Sequence, residues 1–348
     1  MRNVPVMASV LLLVACGSAP PHRGMACATA RPPLVEAIDE GSNMTTTMSV
    51  LTYNIEGLGW PARKGRAAQL RKIGDHLRAL RESGSGPDVV LFQEVFSGPA
   101  KKAVMSTGYP AIVSGPRRTT RPDLPVPDPL PGKAAIKHGE MGIHLAGGGL
   151  AIASRYPIVS TRIRAFGRKS CAGLDCLSNK GIMLAKIQVP GLPAPIELYN
   201  THLNSRGASR APAVRHFAAH DRQSLNVSAF VQATHADGSP IIFGGDFNMR
   251  KSEERWENFS RYQALTLVHK VCADNPDCDV RMSWDGDEPW MDTQDLQFFW
   301  SGTSIAIRPI KVESMFDGRP GQPALSDHDG LMVTYELKWP KSPVGSGC

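Results

Sequence analysis

The 348-residue sequence shows no internal repeat, which excludes solenoid and propeller architectures. It has no apolar run long enough to cross a bilayer; the stretch from Val4 to Ala15 falls short of the required span. Its seven cysteines lack the Cys-x-x-Cys spacing of structural zinc sites. What is present is ordinary: 42 % hydrophobic and 20 % charged residues, the composition of one large globular domain or two small ones. The formal charge of +7 and pI near 9.1 favour anionic partners such as phosphates, nucleic acid or an acidic membrane surface. Solubility alone accounts for a mild basic excess equally well.

The first residues read as an export signal. Met1-Arg2 is a short basic start, and the apolar stretch after it has the length of a signal h-region. It closes on Leu13-Val14-Ala15-Cys16, which resembles a bacterial lipobox with Cys16 as the lipidated first residue of the mature chain. Gly17-Ser18 after it resembles a signal for the outer membrane or cell surface. A plain signal peptide cut elsewhere is the rival reading. Export permits disulfides. Cys171 with Cys176, and Cys272 with Cys278, are candidate local bridges, while the pairing of Cys27 and Cys348 stays open. Residues 17–47, rich in Pro, Ala, Ser and Thr, read as a flexible tether. A globular domain over 48–340 and a tail over 341–348 follow.

Within the domain, β-rich runs occur at Ser49–Asn54, Asp88–Glu94, Leu150–Ser154, Ile158–Ile163, Gly181–Val189, Ile196–Leu203, Leu296–Trp300, Ile305–Ile310 and Gly330–Leu337. Helical spacing appears over Lys64–Arg81 and Ala211–Thr234, with a shorter helix near Glu253–Tyr262. Asp221 falls on the apolar side of the second helix without an evident reason. The stretch from Ser114 to Gly149 is a long, Pro-rich loop, basic at Arg117, Arg118 and Arg121. Many strands with few helices between them point to two packed sheets with helices outside. One stretch carries more: Ile241, Ile242 and Phe243 read as a buried strand, Gly244-Gly245 as a turn, and Asp246 and Asn248 as its polar exit. Such a pair suits a phosphate-bound metal or an attacking water, or simply the cap of a following helix.

Other strands also deliver polar groups at their ends: Asn54, Glu94, His202 with Asn204, and Asp327 with His328. Together they supply what phosphodiester hydrolysis needs, namely oxygen ligands for a divalent ion, a placed water, and a group to stabilise or protonate the leaving oxygen. The motifs Tyr53-Asn54-Ile55, Gln93-Glu94, Asn200-Thr201-His202-Leu203, Gly244-Gly245-Asp246-Phe247-Asn248 and Ser326-Asp327-His328 resemble, in order, those of the endonuclease/exonuclease/phosphatase family over about residues 49–338. The resemblance implies a four-layer α/β sandwich and Mg²⁺-dependent phosphoester hydrolysis with one ion or two, Mn²⁺ or Ca²⁺ being substitutes. It implies Glu94 as main metal ligand with Asn54 beside it, and Asp327 at a second metal or at a water of the first. His328 would be general base or polarise the phosphoryl oxygen, oriented by Asp295, with Asp292 as the fallback. Asp246 and Asn248 would orient the water and a phosphate oxygen, and His202 would act as general acid or electrophile. Glu56 reads either as support for the metal or as a polar residue on the strand's exit.

Lys169-Ser170-Cys171 through Leu177-Ser178-Asn179-Lys180-Gly181 resembles the Asn-Lys-Gly region of secreted bacterial sphingomyelinases, as does Gly149–Ile158. Lys180 would then neutralise substrate phosphate. Asn204 stands where that branch has Gln, at the same phosphate-facing position. The chain lacks an evident hairpin with an exposed aromatic tip; Met282–Trp290, with Trp284 and Trp290, is the nearest candidate and is acidic. Three readings follow: a surface-anchored phospholipid phosphodiesterase, an exported nuclease whose basic helix and Arg117–Arg121 loop track a phosphate backbone, and a non-catalytic binding lipoprotein. A monomer is expected.

Overall fold

A computed structural model describes residues 20–24, 26, 32–59, 62–283 and 288–341. The strands are β1 (Glu36–Ile38), β2 (Asn43–Asn54), β3 (Val89–Gln93), β4 (Ala111–Ser114), β5 (Ala151–Ser154), β6 (Ile158–Ala165), β7 (Gly181–Ile187), β8 (Ile196–His202), β9 (Ile241–Asp246), β10 (Thr266–Leu267), β11 (Asp279–Arg281), β12 (Asp295–Trp300), β13 (Ala306–Met315) and β14 (Gly330–Pro340). The helices are α1 (Arg66–Ser83), α2 (Gly98–Ser106), α3 (Ala213–Thr234), α4 (Glu253–Tyr262) and α5 (Val268–Asp274). No helix among the described residues is long and apolar enough to cross a membrane.

Two sheets form. The first runs β11-β13-β14-β2-β3-β5-β4, with β1 also paired to β2; the second runs β10-β12-β9-β8-β7-β6. Period-two alternation sends side chains to both faces of each strand. Met48 and Val50 of β2 enter the core between the sheets with Leu91, Met183, Leu198, Ile242 and Val333. Leu51 and Tyr53 face outward onto Leu70, Ile73 and Leu77 of α1 and Ala100 and Val104 of α2. On the far side, Leu184, Tyr199 and Phe243 pack on Val227 and Phe230 of α3 and Phe259 of α4. The result is the expected helix–sheet–sheet–helix sandwich.

Gly244 and Gly245 lie inside β9 and do not make the turn read from the sequence. A Cβ on Gly244 would sit 2.4 Å from Thr52 Oγ1 and 2.6 Å from Leu91 Cδ1, so glycine lets the two sheets approach at this point. The turn comes later, at Asn248 with φ +54°.

Parts of the 17–47 stretch expected as a tether pair with the first sheet. Arg23 bridges Ile112, Ser114 Oγ donates to Pro20 O, and β1 pairs antiparallel with Asn43–Thr45 of β2. These residues fill hydrogen-bond positions along the first sheet, which explains their order despite a composition typical of linkers. The signal segment with Cys16, the residues Cys27, Trp284 and Cys348, and the tail beyond Lys341 lie outside the described residues. Cys171–Cys176 and Cys272–Cys278 are disulfides. Trp290 is buried against Trp256, so it serves the core. Asp221 now has a partner: it accepts a hydrogen bond from Tyr262 Oη of α4 at 3.3 Å.

Candidate active site

The sheet topology gathers the polar residues. Strands β2 and β3 are parallel, as are β8 and β9, so Asn54, Glu94, His202 and Asp246 leave from one edge of the sandwich. Strands β12 and β14 run antiparallel to their neighbours β9 and β2. Their beginnings therefore reach the same edge. Asp295 opens β12 directly opposite Asp246, and Asp327 and His328 precede β14, entering a strand where the sequence suggested they end one.

Asp246 is the hub. Its Oδ2 accepts from Asn54 Nδ2 at 2.9 Å and lies 3.3 Å from His202 Nε2 and 4.0 Å from His328 Nε2. Its Oδ1 accepts from the Asn248 backbone N–H at 3.0 Å. Asp295 Oδ2 sits 2.6 Å from His328 Nδ1. Asp292, the fallback partner, instead faces Lys251 at 3.5 Å on the surface. Burial opposes charge on His328, but Asp295, then Asp246 and Asp327, hold its imidazole well above the ordinary histidine range. These carboxylates favour the imidazolium, whose Nε2 faces the cleft; Gln294 Nε2 lies 3.1 Å from it, and because an amide nitrogen only donates, the charged ring requires that amide turned to present its oxygen.

His202 is the opposite case. Burial first, then Lys180 and His328, push it well below its ordinary value, so the ring is neutral. Its Nε2 lies 2.9 Å from Lys180 Nζ. Because an ammonium can only donate, Nε2 is the acceptor and the proton sits on Nδ1. The same Nε2 also lies 3.3 Å from Asp246 Oδ2.

Lys180 is nearly fully buried and satisfied three times: by His202, by Leu203 O at 2.9 Å, and by an ion pair with Asp175. It lines the cleft, yet its three donors are taken, so it is not free to serve as a direct ligand. Asn204 is displaced from its expected role altogether. It is fully buried, its Oδ1 accepts from Ala172 N at 2.8 Å, and its Nδ2 donates to Ser205 O at 2.9 Å. The side chain braces the Cys171–Cys176 loop and does not face substrate. Glu56 pairs with Arg63 at 3.0 Å and Arg66 at 3.2 Å on the cleft wall.

Asp175 and Arg255 were not legible in the sequence. Asp175 sits inside the Cys171–Cys176 disulfide loop, where an acidic residue reads as a solvated turn. Arg255 is buried on α4 and clamps two active-site loops through Asn204 O at 2.7 Å and Asn248 O at 2.9 Å. The helical period of α4 gave the only signal, since Arg255 lies four residues before Phe259 and so on the same face.

These groups line a cleft of about 750 Å³. Its lining includes the polar residues Glu94, His202, Asp246, Asn248 and His328, the exposed cations Arg206, Arg250 and Lys251, and the apolar residues Leu58, Phe96, Leu145, Leu174 and Leu177. Glu94 has φ +60°, and burial, with repulsion from Asp246 and relief from Lys180 and His328, pushes its carboxyl up to about 7. A divalent cation beside it would favour the ionised form. The oxygen donors here, the Glu94 and Asp327 carboxylates and the Asn54 amide, suit a hard cation. Among the described residues no three His, Cys, Asp or Glu side chains group as a metal site.

The model of the Endonuclease/Exonuclease/phosphatase family matches residues 51–328. The chain belongs to this family. It is by class a phosphodiester hydrolase. A search of curated protein sequences finds no match. Among solved structures, beta toxin from Staphylococcus aureus with bound magnesium ions is 19 % identical, with 83 % of this chain and 99 % of that chain covered and a TM-score of 0.55. Sphingomyelinase C from Streptomyces griseocarneus is 20 % identical, covering 83 % and 99 %, at 0.56. D. rerio TDP2 complexed with a single-strand DNA product is 17 % identical, covering 83 % and 99 %, at 0.54. At these identities the likeness establishes the shared fold.

Proposed function

We propose that the protein is an exported, lipid-anchored, Mg²⁺-dependent phosphodiesterase acting on a membrane phospholipid, with sphingomyelin the first substrate to test. The observation that carries the lipid reading is the cleft's apolar wall of Leu58, Phe96, Leu145, Leu174 and Leu177 beside the catalytic floor. A lipid phosphodiester has one apolar side to lay on such a wall. Single-stranded nucleic acids instead stack on aromatic platforms, and among the described lining residues Phe96 is the only Phe, Tyr or Trp. The basic rim of Arg206, Arg250 and Lys251 is what favours the nuclease alternative. Export and anchoring rest on the lipobox-like run ending at Cys16.

Glu94 and Asn54 would hold the ion, with Asp327 close by. When bound, it supplies positive charge to a phosphoryl oxygen. The rest is done by the chain's own groups. Asp246, fixed by Asn54 and the Asn248 N–H, orients the attacking water. His328, held by Asp295, presents an imidazolium N–H to the phosphoryl group as negative charge develops. His202 and Lys180 shape the remaining wall and hold the field positive.

The test uses the full chain carrying Cys16→Ser, which removes the acylation site. With Mg²⁺ it should release phosphocholine from sphingomyelin liposomes without nicking supercoiled DNA, and EDTA should abolish turnover. Nicking without phosphocholine release would overturn the lipid reading in favour of a nuclease. Failure on both substrates and on bis(p-nitrophenyl) phosphate would leave only a binding role.

A further inference from the structure

Beside the cleft, the segment from Pro131 to Ala146 forms a strap laid over the Cys171–Cys176 loop. Glu140 Oε1 accepts from Gly173 N at 2.9 Å and from Arg215 Nε at 3.1 Å. His144 Nδ1 lies 3.0 Å from Cys176 O, and the Leu145 and Ala146 N–H groups both donate to Leu177 O. The fit at Gly139 is close: a Cβ there would lie 3.1 Å from Gly173 O and Leu177 Cγ. The strap is therefore anchored through its polar groups. What it leaves outside is apolar: Ile136 is 64 % exposed, Met141 51 % and Ile143 49 %. Leu174, beneath Gly139, is also exposed at 36 % and continues this surface into the cleft, whose wall it lines. Isolated exposed hydrophobic residues mean little, but a cluster continuous with an active-site wall marks an interaction surface.

The charges identify the partner. Between Pro131 and Ala146 the one carboxylate is Glu140, and it is committed to Arg215 and Gly173. Lys133, Lys137 and His138 are exposed. Arg117 and Arg118, also exposed, lie beside Gly147 at the end of the strap. Apolar side chains set among cations and no free anion match a bilayer surface containing anionic phospholipid: the first enter the headgroup–acyl boundary and the second pair with phosphates.

We propose that the strap, through Ile136, Met141 and Ile143 with Lys133 and Lys137, docks the enzyme on an anionic phospholipid bilayer with the cleft mouth against the membrane. This rests on the reading of a lipid substrate, and the two can be separated by experiment. The full chain with Cys16→Ser is sedimented with phosphatidylcholine vesicles, with and without phosphatidylglycerol. The triple variant Ile136→Ser/Met141→Ser/Ile143→Ser should bind the anionic vesicles about tenfold or more weakly, while hydrolysing soluble bis(p-nitrophenyl) phosphate at the parental rate. Lys133→Glu/Lys137→Glu should weaken binding to anionic vesicles and leave the weaker binding to neutral ones unchanged; it also serves if the triple variant misfolds. Val159→Ser, an exposed apolar residue on β6, is the control and should bind normally. Unchanged vesicle affinity in both strap variants, an equal loss in Val159→Ser, or no vesicle binding by the parent would overturn the proposal. Strap-dependent binding to vesicles whose lipid is never hydrolysed would uphold docking and overturn the substrate reading.

Discussion

Asp295→Asn isolates the least ambiguous contact in the site. The carboxylate is 2 % exposed and its Oδ2 lies 2.6 Å from His328 Nδ1. The substitution keeps shape and volume and removes the charge. A hydrogen bond to a charged group contributes about 1.5–3 kcal/mol, or about 10- to 100-fold in rate if it is lost at the transition state. A second effect adds to this. An asparagine amide can turn its NH₂ toward Nδ1, which would then have to accept, and the imidazolium would be lost with the tautomer. Where an analogous aspartate orients a histidine in serine proteases, that change lowers kcat by about 10⁴. We therefore expect a fall in kcat of about 10²–10⁴ with little change in KM, measured with bis(p-nitrophenyl) phosphate and Mg²⁺. Asp292→Asn is the internal control, because Asp292 meets Lys251 on the surface and should be silent. An Asp295→Asn enzyme that keeps a third or more of its kcat, or an equal loss in Asp292→Asn, would refute the assignment. Proton NMR of the imidazole gives an independent readout: the His328 pKa should fall in Asp295→Asn.

Two further predictions concern stability. Gly244→Ala places a methyl group 2.4 Å from Thr52 Oγ1 between the sheets and should destabilise by about 1–3 kcal/mol in urea unfolding; an unchanged midpoint would mean the sheets can separate there freely. His269 is fully buried, and burial pushes it down to about 4, whereas the unfolded chain titrates near 6.5. The unfolded state therefore takes up the proton first as pH falls. The neutral ring's contribution is complete above about pH 6.5 and is lost towards pH 4, about 3 kcal/mol in all. His269→Gln should lose about 2–3 kcal/mol less than the parent between pH 7.5 and 4.5, and equal losses would refute this.

How legible the site was depended on whether its residues carry their context in the chain. Helix Glu253–Tyr262 occupies the residues read from its spacing, and the strand read from the apolar run Ile241–Phe243 continues through both glycines to Asp246. Helix α2 went unread: Gly98-Pro99 at its start looks like a breaker, though Ser97 caps it by accepting from Ala100 N at 3.3 Å. The linker-like composition around Glu36–Ile38 hid a strand, since edge pairing needs backbone groups and not particular side chains. Asp246, Asp295 and His328 meet because short motifs end on strands that share an edge. The states of His202 and Lys180 were beyond reach. They depend on Asp175 and Leu203, and contacts across a loop leave no period in the sequence.

Asp295 stands opposite Asp246 because β12 pairs antiparallel with β9, six residues against six, from Asp295↔Asp246 to Trp300↔Ile241. The spacing of the two carboxylates is therefore a property of a hydrogen-bonded ladder. A slip of one residue would turn Asp295 to the opposite face, so the ladder tolerates no error. The joining segment adds to this hold near its start, where the Asn248 N–H donates to Asp246 Oδ1 and Arg255 donates to Asn248 O. Length changes are therefore expected in exposed stretches such as that at Arg250 and Lys251, and not within the ladder.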